Sequence, residues 1–359
     1  MLHSPDRMDA MKMSAFEREA LTQPEALGRL LAAYGGPDSP LRRLDPLLAS
    51  GPRSVMFIGM GSSLCASLPA AYMLSLRGLP AHAVDAGEYL YYRLDRPRDA
   101  FLPVLVSQSG ESPEVKCIVD GWKGTVPFVA ITNDEASSLA KSAAAVLPLL
   151  AGAEASTTNK TYTNTIAAAI LMASRLGGLD LAGALASFAP IPDAMTALFR
   201  DWRATVEPLA DFLCEPPHVD FVGRGPSLAT VQQGTLILRE LCHIRAAGHT
   251  GAGFRHGLVP SMKRGGELIA FAPAGVTDAL TIGITQDVVA IGGKVILATN
   301  RDVTPGPRLK VWRLPNLPGV AELHMPVLEI LLIEMLGIVI AERRGLDPGE
   351  GIPKITPKE

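Results

Sequence analysis

Cysteine is scarce: Cys65, Cys117, Cys214 and Cys242 are the only four in 359 residues, far apart and with no C-x-x-C pair. That spacing argues against a disulfide framework and a cysteine zinc site, and in apolar surroundings it reads as reduced, buried thiols of a cytoplasmic protein. A surplus of one charge is lacking too. With 33 Lys and Arg against 36 Asp and Glu, a net charge of −3, no basic field exists to hold nucleic acid or an anionic membrane. No apolar stretch follows Met1 to make a secretory signal. The longest apolar run, Met325 to Ala341, is broken by Pro326, Glu329 and Glu334 and is too short and too charged to span a bilayer. No Cys/His/Asp cluster has ligand spacing, so no metal and no organic cofactor are expected.

What is present suits two α/β domains. Phe16, Ala20, Leu21, Leu27, Leu30 and Leu31 recur near a 3.6 period, with Pro24 interrupting, and predict a helical leader over residues 1–45 that packs across a domain or subunit boundary. From Ser54 onward, short apolar runs alternate with helical stretches: Val55–Ile58, Pro103–Val106, Phe128–Ile131 and Ala145–Leu147. Nearly continuous apolar strands separated by helices predict a parallel sheet covered on both faces. The pattern then repeats. Val55-Met-Phe-Ile-Gly-Met-Gly-Ser-Ser-Leu64 matches Val219-Asp-Phe-Val-Gly-Arg-Gly-Pro-Ser-Leu228, Val129-Ala-Ile-Thr-Asn133 matches Ile296-Leu-Ala-Thr-Asn300, and Val146-Leu-Pro148 matches Val311-Trp-Arg-Leu-Pro315. The expected division is 46–194 for the first domain and 195–359 for the second, with a helical connection from Met195 to Phe212.

Several turns carry chemistry. Gly59-Met-Gly61-Ser62-Ser63 follows a strand and opens a helix, where glycine lets the backbone approach a ligand and unpaired N–H groups face an anion. Tight structural turns use glycine in the same way. Leu64 stands where a dinucleotide fingerprint would have its third glycine, which disfavours a Rossmann site. The turn Ser107-Gln108-Ser109-Gly110-Glu111-Ser112 gathers three hydroxyls and an amide at the end of a second strand; alone it reads equally as a capping loop, with Ser112 as N-cap and Glu114 in the first turn. Side by side in a parallel sheet, the two turns are better explained as a phosphate site. The repeat has Gly225-Pro226-Ser227 and Ala272-Pro273-Ala274-Gly275 instead, which predicts one active site per chain. Glu240, among Leu236, Leu238 and Leu241, is either a carboxylate of raised pKa suited to general base work or a partner of Arg239 or Arg245 on a wet face. His256 sits after the glycine-rich stretch from Gly248 to Phe254, either exposed or placed for proton transfer. Lys354, in the tail Gly351-Ile-Pro-Lys354-Ile-Thr356, is by itself an ordinary solvated charge.

Taken in order, these motifs, together with Glu154 through Lys160-Thr-Tyr-Thr163, resemble a known family: paired sugar-isomerase (SIS) domains. The pair is similar to the isomerase half of glucosamine-6-phosphate synthase and to related sugar-phosphate deaminases and fructosamine-phosphate deglycases. The resemblance runs from about Phe16 to the last residue and implies two tandem flavodoxin-like αβα domains. By position it implies that Gly61, Ser62, Ser63, Ser107, Gln108, Ser109 and Ser112 cradle a phosphate, and that the loop around Ser156 and Thr158 closes over the sugar. Glu240 would shuttle a proton between C1 and C2, His256 would assist ring opening from the neighbouring subunit of a homodimer, and Lys354 would form a Schiff base with the ketose. Three departures concern the substrate: Ile237 stands where the synthase has lysine, Leu258 where a proline usually follows His-Gly, and the 154–160 loop is one residue shorter. No glutaminase sequence precedes the pair, so glutamine-dependent synthesis is not expected. The expected enzyme isomerises or deaminates a 6-phospho-(amino) sugar. Alternatives are deglycation of a fructosamine phosphate, a non-catalytic sugar-phosphate regulator, and recognition of a sulfonated sugar.

Overall fold

A computed structural model describes residues 13–49, 51–94, 101–155, 157–214, 216–263 and 265–349. The leader is α1 (Ala15–Leu21), α2 (Gln23–Gly35) and α3 (Asp45–Ala49). Pro24 lies in the first turn of α2, where its missing N–H costs no helix bond, so it starts a helix instead of kinking one. The first unit then runs β1 (Val55–Gly59), α4 (Gly61–Leu76), β2 (Ala81–Asp85), α5 (Ala86–Tyr92), β3 (Leu102–Val106), α6 (Pro113–Trp122), β4 (Val129–Thr132), α7 (Ser138–Ser142), β5 (Ala145–Pro148) and α8 (Lys160–Leu176). Three connecting helices follow, α9 (Leu181–Phe188), α10 (Ile191–Phe199) and α11 (Trp202–Leu213). The second unit is β6 (His218–Gly223), α12 (Leu228–Cys242), β7 (Arg245–Thr250), α13 (Gly251–Arg255), β8 (Glu267–Phe271), α14 (Asp278–Ala290), β9 (Lys294–Thr299), β10 (Leu309–Arg313) and α15 (Pro326–Arg343).

Both sheets are parallel and share one order. The first is β2-β1-β3-β4-β5 and the second β10-β9-β8-β6-β7, which is the same path read from the other end. The order places a switch point between β1 and β3, and between β6 and β8, where a ligand crevice opens beyond the strand ends. The expected strands are all present. The sequence reading missed β2 (Ala-His-Ala-Val-Asp) and β7 (Arg-Ala-Ala-Gly-His-Thr), one edge strand of each sheet, which carry polar or small residues in place of an apolar run. The stretch expected to be glycine-rich loop is therefore strand β7 followed by the single-turn helix α13.

The long apolar run becomes α15, a core helix: Glu322–Arg343 is apolar and long enough to cross a membrane but is 94% buried in protein. Its two interrupting carboxylates are held inside. Glu329 accepts hydrogen bonds from the hydroxyls of Ser227 and Thr230, both 2.7 Å, and fastens α15 to the start of α12. Glu334 accepts from Gln23 Nε2 and fastens it to the leader. The leader spans both units: Asn164 of α8 donates to the Ala26 carbonyl at 3.0 Å, while Arg203 of α11 pairs with Glu17 of α1 and Glu342 of α15. The cysteine expectation holds for Cys65 and Cys242 and fails for Cys117, on α6, and Cys214, just past the end of α11, which are exposed. All four thiols are free.

Burial raises the Glu334 carboxyl to about 8 and Glu329 to about 7, so the native state holds protons there that the unfolded chain has released above about pH 4.5. The stability these groups contribute is present below that pH and is lost as pH rises through 7 and 8. Glu334→Gln removes one of them. The melting temperature of the variant relative to the wild type should therefore climb by on the order of 2–4 °C between pH 5 and pH 9 in thermal denaturation. A difference independent of pH would show that Glu334 ionises as freely in the fold as in the unfolded chain.

Candidate active site

Two turns meet at the switch point of the first sheet. After β1 the chain reverses at Gly61, whose φ of +50° is a left-handed conformation that glycine adopts without strain, and Ser62 and Ser63 open α4 half-buried. After β3, Ser107 is buried, and its hydroxyl lies 3.0 Å from that of Ser112 while accepting the Gly110 N–H at 3.2 Å. Ser112 is thus the N-cap residue of α6 by position, but its side chain faces Ser107 and makes no cap bond. Exposed Ser109 accepts the Glu111 N–H at 3.2 Å, and the Gln108 carbonyl accepts from Asn133 N–H and Thr132 hydroxyl. Gly110, at φ +64°, has no room for a side chain: a Cβ would sit 2.2 Å from Ser137 Oγ. Hydroxyls and amide N–H groups are thus held in place without any lysine or arginine in the turn. Glu111 is turned aside, tied to Lys116 at 2.6 Å and to the Ser138 N–H and hydroxyl; the Lys116 hydrogen bond above all draws its carboxyl down to about 2.

The loop after β5 is anchored at four points. Asn133 clamps its base, donating to the Gly152 carbonyl at 2.8 Å and accepting the Ala151 N–H at 3.0 Å. Glu154 accepts the N–H groups of Asn159 and Thr161 and the Thr161 hydroxyl, a carboxylate at a helix N-terminus, and Glu19 of α1 accepts the Ala155 N–H. Lys160 is buried with Nζ on the Ala153 carbonyl. Thr157 is thereby buried, with its side chain close enough to the Glu240 carboxyl to favour the charged form. Thr158, the residue singled out from sequence, is half-buried, and the neighbour that meets Glu240 is one position earlier. Nothing in a Ser-Thr-Thr run distinguishes those hydroxyls before the loop is folded. Ser156 lies outside the described residues.

Glu240 reaches this place from the second unit. It ends α12, which packs across the unit boundary on α4, and Leu236, one helical turn earlier, comes within 3.9 Å of where a Gly61 Cβ would stand. Partial burial holds the Glu240 carboxyl above its usual range, and the Thr157 side chain pulls the other way. Among the described residues no ion pair joins Glu240 to Arg239 or Arg245, and the Arg239 guanidinium goes to the Ala246 carbonyl. Ile237 points away into the core against Gly337 of α15, so no cation stands at that position. His256 caps the end of α13 and is exposed; its described contacts are backbone bonds to the carbonyls of Ala252 and Gly253, and none involves Glu240. Lys354 lies outside the described residues. Among the described residues no cluster of three His, Cys, Asp or Glu could hold a metal ion.

A doubly repeated flavodoxin-like fold with a hydroxyl-lined turn at one switch point has its crevice where open α/β sheets bind small molecules. Residues 48–174 match the SIS domain. It is 27% identical over 351 residues to the isomerizing glutamine–fructose-6-phosphate aminotransferase of Rhizobium leguminosarum bv. viciae and 28% over 336 residues to that of Pyrobaculum aerophilum. Each alignment takes in 92% of this chain, which spans about half the length of these curated relatives (56% and 55%). Among solved structures, the C-terminal domain of glucosamine-fructose-6-phosphate aminotransferase from Francisella tularensis superposes with a TM-score of 0.83 at 21% identity, covering 94% of this chain and 98% of that one. Glucosamine-6-phosphate deaminase from Thermotoga maritima gives 0.73 at 20% identity, covering 96% and 98%. At those identities the structures establish the shared fold.

If the Ser107 turn is an anion cradle, the double substitution Ser107→Ala and Ser109→Ala should weaken a 6-phosphosugar in calorimetry by roughly 10–100-fold, from the loss of two hydrogen bonds to a charged group. Melting should stay within a few degrees of the wild type. Unchanged affinity would remove the cradle from these hydroxyls.

Proposed function

We propose that the chain is a phosphosugar isomerase or deaminase acting on a 6-phospho-(amino) sugar, with glucosamine 6-phosphate to fructose 6-phosphate plus ammonia as the model reaction. The observation that carries this reading is the meeting of a half-buried carboxylate of raised pKa from the second unit, Glu240, with the loop and turns that border the hydroxyl cradle of the first. The names of the relatives favour the same substrate class: the curated ones are isomerizing aminotransferases of fructose 6-phosphate, and one solved neighbour is a glucosamine-6-phosphate deaminase.

In this reading Gly61, Ser62, Ser63, Ser107, Gln108, Ser109 and Ser112 take the phosphate, and the loop bearing Ser156, Thr157 and Thr158 covers the sugar. Ring opening frees the C1 aldehyde. The Glu240 carboxylate removes the C2 proton, acidified by that carbonyl, and the electron pair moves to give an enolamine. Glu240 then returns the proton to C1, leaving an imine at C2, and water hydrolyses it to the ketose and ammonia. Plain isomerisation follows the same path with an enediol and stops at the ketose. His256 assists ring opening from the neighbouring subunit of a homodimer, and Lys354 in the tail closes on the ketose carbonyl. The setting proposed is cytoplasmic sugar-phosphate metabolism.

The test is a panel of 6-phosphosugars and fructosamine phosphates in deuterated water, following ketose phosphate, ammonia, amino acid and label at C1 and C2. The wild type should turn over at least one member with label incorporation. Glu240→Gln, which keeps shape and hydrogen bonding, should lower turnover by roughly 10²–10⁴-fold with little change in affinity. Exchange at the wild-type rate in that variant would assign the proton to another group. Tight binding with no turnover across the panel would return the chain to the regulator class.

Sharing of the site makes a separate forecast. Equal amounts of Glu240→Gln and His256→Ala chains, allowed to exchange, should recover about one quarter of wild-type activity, since half the dimers are hybrid and each hybrid has one intact site. A monomer in sedimentation, or no recovery after verified exchange, would end that part of the proposal.

A further inference from the structure

The second switch point is not empty space left by duplication. A cleft of about 700 Å³ opens there between the two units, lined by Tyr72, Met73 and Leu76 of α4, Leu179 beyond α8, Val276 of the turn after β8, and Leu323 before α15, with Gly225 and Pro226 at one end. Aligning β1 with β6 puts Gly61 at Gly225 and Leu76 at Glu240, and aligning β3 with β8 puts Ser107 at Ala272, Ser109 at Ala274 and Glu111 at Val276. The cleft is therefore the counterpart of the candidate active site, with each unit contributing what the other contributes there. Each of the exchanges at 76, 272, 274 and 276 removes a polar group, while Thr277 keeps a hydroxyl at the position of Ser112.

The anion position of this counterpart is already filled from within. Glu322, on the connection between β10 and α15 that corresponds to the loop bearing Thr157, accepts the Val276 N–H at 3.1 Å, and its Oε2 would lie 2.0 Å from a Cβ on Gly275. A ligand's phosphate would have to displace that carboxylate or lie against it. The walls above it stay open: Leu76 is 86% exposed and Val276 92%, the most exposed large apolar side chains among the described residues, one on each bank. Arg77 and Asp180 stand on the rim with opposite charges and favour neither sign. The volume is that of small-molecule sites, and a concave cleft with walls from both units suits a compact molecule better than a flat protein face.

We propose that this cleft is a second ligand site, distinct from the phosphosugar site, that takes a neutral, apolar small molecule. The apolar banks supply the affinity, and Glu322 in the anion turn supplies the selection against phosphorylated compounds.

The experiment titrates the intact chain with Nile red, a neutral apolar dye, and compares wild type with Leu76→Glu, Val276→Asp and the Ser107→Ala/Ser109→Ala double variant. Both single changes fall on exposed side chains, and circular dichroism checks the fold. The dye should saturate near one per chain, and each of the two substitutions should weaken it by about tenfold or more. The double serine variant should bind it as the wild type does, so the result stands whether or not the phosphate cradle is correctly assigned. Inorganic phosphate should leave the dye in place. No saturable binding, equal binding in both single variants, or displacement by phosphate would each overturn the proposal. A wild-type dimer that both substitutions dissociate would do so as well, by giving the cleft to a second copy of the chain.

Discussion

The contact between α4 and α12 is the constraint on which the site depends. Each helix starts at the switch point of its own unit and ends at that of the other, so the two lie antiparallel: Gly61 at the start of α4 meets Leu236 near the end of α12, and Leu76 at the end of α4 borders the cleft with Pro226 at the start of α12. Such a helix is enclosed on most sides. In α4, Cys65, Ala66, Ser67, Ala70, Ala71 and Leu74 are all buried, and small residues let a neighbouring helix approach. The fold thus brings Glu240 to a turn some 130 or more residues away in sequence, which neither unit could do alone. The bond from Ser227 and Thr230 to Glu329 fixes the other end of α12, and through it the angle at which Glu240 arrives.

Much of this was legible beforehand, for physical reasons that also mark where the reading stopped. Strands buried on both faces announce themselves, and Val55–Gly59, Leu102–Val106 and Val129–Thr132 all stood out as apolar runs. Edge strands are less uniform: β5 and β10 kept readable apolar residues, while β2 and β7, the equivalent opposite edges of the two sheets, went unread together. The hydroxyl turns were visible as composition at strand ends. Their internal bonding was not: that Ser112 would face Ser107 instead of capping its helix depends on the curvature of the folded turn. Thr157 and Glu322 could not be found from sequence, since each acts through a loop whose path is set by distant partners, Asn133 and Glu19 in the first case and the turn after β8 in the second.

The electrostatics follow one rule at three places. Amide N–H groups at the end of a strand attract a negative group, and the chain supplies a different one according to what each site must do. At the start of α8 it is Glu154, which ties down the loop. At the turn after β8 it is Glu322, which closes the second unit to anions. At the turn after β3 the hydroxyls of Ser107, Ser109 and Ser112 are grouped beside the amides, and the nearby Glu111 is drawn off to Lys116 and Ser138. That last arrangement leaves the first cradle free of an internal carboxylate, which is what an exchangeable anion requires.

Duplication alone would have given two like sites, because every element of one has its counterpart in the other. The differences are few and each has a direct consequence. Leucine at position 76 stands where the first site has the Glu240 carboxylate, alanine at 272 and 274 stands where it has serine hydroxyls, and Glu322 reaches into the turn between. Since α4 and α12 each run from one site to the other, the 16 residues of α4 set the two sites about 24 Å apart. The two sites are therefore built on opposite ends of one helix pair: Leu76 and Pro226 border the cleft, while Gly61 and Leu236, one turn before Glu240, meet at the candidate active site.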